Sequence, residues 1–150
     1  MKKINSNVIL SRFKKLDELL LFLKQIREKS KNEFLNESLI FLSAQRALEM
    51  CINICIDIGN HVISANKKQK IETYGDIFNE LYRIGIIDHE MKEKLIKMVK
   101  FRNLLRHAYL EINNEIIYDI LKNNLEDFNL FKKQILTRFK KQLFNDDKKV

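Results

Sequence analysis

The sequence predicts an all-α fold, an up-and-down bundle of four to five helices, and three observations carry that expectation. Proline is absent and only three glycines occur in 150 residues, so the turn residues that strands and hairpins require are nearly missing. Apolar residues recur three and four positions apart along most of the chain, the period of a helix rather than a strand. Thr73, Asp88 and Asn113 each stand just ahead of such a run, where a side-chain oxygen can accept from the free N–H groups of a first turn.

The first predicted helix covers about residues 5–28, with Val8, Leu16, Leu19, Leu20, Leu23 and Ile26 on one face. A polar break, Lys29-Ser30-Lys31-Asn32-Glu33, separates it from a long second helix over about 35–64, kinked early. From Leu48 to Ile63 this helix is apolar nearly all round, which places it at the centre of a bundle or under a partner chain. After a polar loop at 66–70, Thr73 and Asp76 form a capping box for a third helix ending near Gly85. Asp88 caps a fourth helix over about 89–109, and Asn113 caps a fifth over about 114–143. The expected organisation is one domain, 1–143, followed by a flexible basic tail, 144–150.

The formal charge of +8 favours anionic partners, since clustered Lys and Arg exchange counterions for phosphates. Part of that excess is a solvated end, Lys140-Lys141 and Lys148-Lys149. Cys51 and Cys55 share a helix face four residues apart and read as buried, inert thiols of a reducing compartment. No signal-peptide pattern opens the chain, and Leu19-Leu20-Leu21-Phe22-Leu23 is far short of the ~20 residues that cross a bilayer, so a cytoplasmic protein without membrane attachment is expected. Glu90, Glu93, Glu111 and Glu115 lack metal-ligand spacing, and no Gly-rich phosphate loop occurs, so neither a metal nor a cofactor is expected. His61 reads as a structural histidine and His89 as an exposed one.

Chemistry concentrates in Arg102-Asn103-Leu104-Leu105-Arg106-His107-Ala108-Tyr109. Removing an isolated cation from water costs on the order of several kcal/mol, so such crowding beside apolar positions implies a use. At about 100° per residue, Leu95, Met98, Phe101, Leu105 and Ala108 share one arc, predicted to pack inside the protomer. Ile96, Val99, Asn103 and His107 form a second stripe, predicted to meet the same helix of a second copy, with Arg102 and Arg106 between the stripes and Tyr109 close by. RNA cleavage without a metal needs a base for the 2′-OH, an acid for the leaving oxygen and cations for the phosphorane. Two imidazoles across a dimer axis supply the first pair, and arginines supply the charge. No aromatic platform for stacking bases is visible in the sequence.

Arg102-Asn103, three residues, His107, one residue, Tyr109 resembles the R-N-x-x-x-H-x-Y signature of HEPN-domain toxins of the HepT type. Asp57-Ile58-Gly59-Asn60-His61-Val62-Ile63 is similar to the family's second-helix segment. Tyr74-Gly75-Asp76-Ile77-Phe78 with Gly85-Ile86-Ile87 is similar to its third-helix region, and Met98-Val99-Lys100-Phe101 leads into the signature; the likeness spans about residues 8–135. The resemblance implies a HEPN-like bundle, homodimeric through the signature helix, with a composite metal-independent ribonuclease site. It implies Arg102 and His107 as the catalytic pair with Asn103 beside them. It also implies an MNT-type nucleotidyltransferase antitoxin that transfers AMP to Tyr109. Arg106, within the variable interior, is an extra cation expected to touch the RNA backbone.

Other readings of the same residues stand beside this one. Arg102 in a surface salt bridge to Glu111 or Glu115 would carry no chemistry. A non-catalytic helical dimer could bind RNA, a nucleotide or a nucleotidyltransferase through the same octet. A purely structural bundle would leave the arginine cluster beside an apolar stripe unexplained.

Overall fold

Side-chain caps mark where most helices begin. The computed structural model describes residues 3–65, 70–107 and 112–144. Among these the chain forms α1 (Ser6–Arg27), α2 (Lys31–Asn36), α3 (Ser38–Ser64), α4 (Tyr74–Arg83), α5 (His89–Arg106), α6 (Asn114–Asn123) and α7 (Glu126–Phe144), and no strand. Asn5 caps α1 by accepting from the N–H groups of Asn7 and Val8, and Asp88 caps α5 by accepting from Met91 at 2.7 Å. The expected all-helical fold holds. The count exceeds four or five because a short helix forms in the expected polar break and the expected fifth helix is broken in two.

The first extra helix, α2, forms largely within the polar break expected at 29–33. Ser30 Oγ accepts from the Glu33 N–H at 3.2 Å and starts α2, whose Phe34 is fully buried with its ring 5.4 Å from that of Tyr118. Six residues would not hold a helix alone, but burying one such ring contributes about 2–3 kcal/mol. Glu37, extended at φ −113° and ψ 104°, then separates α2 from α3. The second break falls at Asn123-Asn124, where Asn124 leaves the helical region at φ −124° and ψ −2°. Both side chains hydrogen-bond locally, Asn123 to the Asp119 carbonyl and Asn124 to Asp127, while buried Leu125 pins the corner to the core.

The central element is α3, which packs against all six other helices. Its apolar girth is therefore covered within one chain. By length and composition Ser38–Ser64 could cross a membrane, yet half of that apolar stretch is buried inside the protein. Burial pushes the Cys51 thiol up to about 12 and raises Cys55 as well, with the Cys51 charge adding to it, as expected for inert thiols.

Two glycines shape the region around α4. A Cβ on Gly59 would lie 2.7 Å from Ile77 Cγ2, so its absence lets α4 close onto α3. Gly85, at φ +78°, takes the left-handed conformation that ends this segment and turns the chain toward α5.

Candidate active site

The buried line of α5 is Met91, Leu95, Val99, Arg102 and Leu105. This differs from the expected arcs. Val99, assigned to a stripe left for a second copy, belongs to the core, while Met98 and Phe101 are only half-buried. Arg102, expected between the stripes, sits within the buried line. The reason is that α3 and α4 both flank this side of α5, and each offers the arginine a partner.

Arg102 is 8% exposed. Its Nε donates a short hydrogen bond to Asn53 Oδ1 on α3, and its guanidinium carbon lies 5.1 Å from the centre of the Tyr74 ring at the start of α4. Among the described residues no carboxylate pairs with it; Glu115, one expected surface partner, pairs with Lys31 at 3.8 Å instead. Glu111, the other, lies outside the described residues. The buried charge thus faces a neutral amide and a π face, which orient it without neutralising it.

These groups wall a cleft of about 890 Å³. Asn53, Asp57 and Asn60 enter it from α3, Glu72, Thr73 and Tyr74 from the head of α4, and Val99, Arg102 and Asn103 from α5. The capping box fixes the α4 rim: Thr73 Oγ1 accepts from the Asp76 N–H at 3.2 Å, and Asp76 Oδ2 accepts from the N–H groups of Thr73 and Glu72 at 2.9 and 3.1 Å. Those backbone donors hold the Asp76 carboxyl below its usual range.

His107 caps the C-terminus of α5, exposed, its N–H donating to the Leu104 carbonyl at 3.1 Å. Arg106 is exposed in the last turn. Neither lines the cleft, whereas Arg102 and Asn103 both do. Tyr109 and Ala108 lie outside the described residues. His61 has the structural place expected of it: its Nε2 accepts from the Asn5 N–H at 3.0 Å, and burial, with Arg12 nearby, pushes its pKa down. His89 is exposed, 3.8 Å from Glu93.

Sequence reasoning assigned no role to Asn53, Asp57 or Tyr74. A signal existed for each. Asn53 is a polar residue inside the apolar stretch of α3, and segments 57–63 and 74–78, which carry the family likeness, are the two walls facing Arg102.

A match to the family described as "Ribonuclease HepT-like" covers residues 12–135. The chain belongs to that family. It is 33% identical over 104 residues to the mRNA nuclease HepT of Shewanella oneidensis, covering 67% of this chain and 73% of that one. It is 26% identical over 135 residues to the tRNA nuclease HepT of Aphanizomenon flos-aquae, covering 90% of this chain and 92% of that one. Its fold matches the solved structure of a tri-AMPylated Shewanella oneidensis HEPN toxin in complex with an MNT antitoxin, with TM-score 0.80 and 25% identity over 87% of this chain and 97% of that one. In this HepT-like chain the signature therefore divides, Arg102 and Asn103 facing the cleft and His107 standing at the helix end.

Proposed function

We propose that this HepT-like chain is a metal-independent endoribonuclease toxin that acts as a homodimer joined through α5. One observation carries the reading. A buried guanidinium, oriented by Asn53 and Tyr74 and paired with no carboxylate among the described residues, stands at the wall of an open cleft. Such a group has its charge available for a phosphate.

His107 lies outside the cleft of its own chain, so a second copy completes the site. The His107 of one copy takes the 2′-OH proton as that oxygen attacks the adjacent phosphorus. The bond from phosphorus to the 5′-oxygen breaks, and the protonated His107 of the other copy gives its proton to the leaving oxygen. The products are a 2′,3′-cyclic phosphate and a 5′-OH. Arg102 carries the phosphorane charge with Asn103 beside it, and Arg106 holds the RNA backbone. No cofactor takes part.

Regulation falls to an MNT-type nucleotidyltransferase antitoxin that AMPylates Tyr109, the modification named for the matched toxin structure. An adenylyl group two residues from His107 adds bulk and negative charge where the RNA phosphate would sit. The working unit is the 1–143 domain, acting in the cytoplasm where RNA and antitoxin meet it.

End chemistry on RNA incubated with the purified full chain in excess chelator tests this. Cyclic phosphate and 5′-OH ends are expected, absent with Arg102→Ala and with His107→Ala. A strict requirement for a divalent metal, or undiminished cutting by both variants, would overturn it. Tight RNA binding with no product at any concentration would favour the non-catalytic dimer.

A further inference from the structure

The cleft holds more than a phosphate needs. Beside Arg102 it presents two carboxylates, Asp57 and Glu72, and an aromatic ring, Tyr74. Carboxylates repel a phosphate, and no third His, Cys, Asp or Glu among the described residues joins them to hold a metal. Asp57 has no hydrogen-bond or ion-pair partner among the described residues, and Glu72 is held only by an exposed pair with Lys70 at 3.1 Å, so both keep acceptor capacity at the edge of a cleft whose other wall is cationic. Tyr74 remains 45% exposed even with the guanidinium against it, so aromatic surface is free for a ligand.

We infer that the cleft is a base-reading subsite, which takes one unpaired nucleobase bearing an exocyclic amino group next to the phosphate held by Arg102. Tyr74 stacks on the base, and Asp57 and Glu72 accept from its amino group. The inference rests on the ribonuclease reading above for its substrate class. It supplies the stacking aromatic that the sequence alone did not reveal. Stacking on an aromatic side chain is tolerant of base identity, while a carboxylate accepting from an amino group discriminates cytosine from uracil. The division of labour follows: Tyr74 sets affinity and the two carboxylates set preference.

Binding of the full chain to 2′-O-methyl RNA trinucleotides that differ only in a central cytidine or uridine tests this, because such probes lack the attacking hydroxyl and report binding without turnover. The wild type is expected to prefer cytidine by roughly tenfold or more. Asp57→Asn combined with Glu72→Gln erases the preference; both side chains are exposed, so the fold survives. Tyr74→Leu weakens both probes by roughly tenfold, and Tyr74→Phe restores them. Equal binding of the two probes by the wild type, or a preference that survives in the double carboxamide, would overturn the inference. A double carboxamide that keeps its preference but no longer binds a nucleotidyltransferase would assign the carboxylates to protein docking and equally overturn it. Base preference without any cleavage of unmodified RNA would sink the ribonuclease reading and leave this one standing. Cleavage with no base discrimination would do the reverse.

Discussion

Arg102 and His107 lie five residues apart on one helix, yet their situations are opposite. The arginine is buried, hydrogen-bonded across to α3 and packed on a ring from α4. The histidine is exposed at the end of α5, away from the cleft. Folding of one chain sets the cation, and in the proposed mechanism a second copy brings the imidazole to face it. Under that proposal a monomer should not cleave RNA.

The largest effect expected is on turnover. Arg102→Ala and His107→Ala should each lower RNA cleavage by on the order of a hundred- to a thousandfold. Stability separates them. Arg102→Ala leaves Asn53 Oδ1 without its donor and should cost about 1–2 kcal/mol in denaturant unfolding, whereas His107→Ala should stay within about 0.5 kcal/mol. Arg102→Lys should not rescue cleavage, because an ammonium cannot reproduce the planar fork against amide and ring. Equal destabilisation by the two alanines would erase the contrast.

Asn53→Asp sharpens it. The new carboxylate would give the guanidinium a counter-ion in the same place. The expected variant melts no lower than wild type but cleaves about tenfold more slowly, since the charge needed at the phosphate is spent internally. A variant as active as wild type would show that the neutrality of Asn53 has no bearing on the site.

A milder change tests the closure that brings Tyr74 over Arg102. Gly59→Ala gains about 1 kcal/mol of helix propensity but forces a Cβ to within 2.7 Å of Ile77 Cγ2 and 3.3 Å of Leu81 Cδ1. Overpacking of that kind costs about 1–3 kcal/mol, so net destabilisation of about 1 kcal/mol is expected by thermal or denaturant unfolding. Because α4 must yield, cleavage should fall as well, although Gly59 itself does not line the cleft. Unchanged stability would mean that α4 has room to shift at no cost.

Much of this was legible in the residues. Helical period with Thr73, Asp88 and Asn113 marked three helix starts, because caps are local and their partners lie within one turn. The early kink expected in the second helix corresponds to the extended residue Glu37, but neither the helix ahead of it nor the break at Asn124 was legible, since Phe34 and Leu125 act by reaching the core and the sequence does not show where the core is. Of the signature residues, Arg102 and Asn103 line the cleft and His107 does not. It could not say that Arg102 faces inward, because a helical wheel ranks positions by apolarity and an arginine looks like surface until Asn53 and Tyr74 are placed beside it. The rotation of the buried arc toward Val99 has the same origin: two neighbouring helices, unseen in the sequence, decide which side is covered.

The smallest effect concerns His61, which helps to hold α1. His61 Nε2 accepts from the Asn5 N–H, the residue that caps α1, and can do so only when neutral. Burial and the Arg12 charge push its pKa below the ordinary 6.5 in the folded chain. Below that value the unfolded chain takes up a proton that the folded chain resists. The contribution of His61 to stability is therefore complete above pH 6.5 and declines as pH falls toward the folded pKa. Unfolding free energies measured between pH 7.5 and 5 should accordingly drop more steeply in the wild type than in His61→Gln, whose amide oxygen can accept the same hydrogen bond at every pH. Parallel curves would show that the Asn5 contact does not depend on the charge of the imidazole. Cleavage at fixed pH should be the same in both, since His61 lies outside the cleft and holds only the first helix in place.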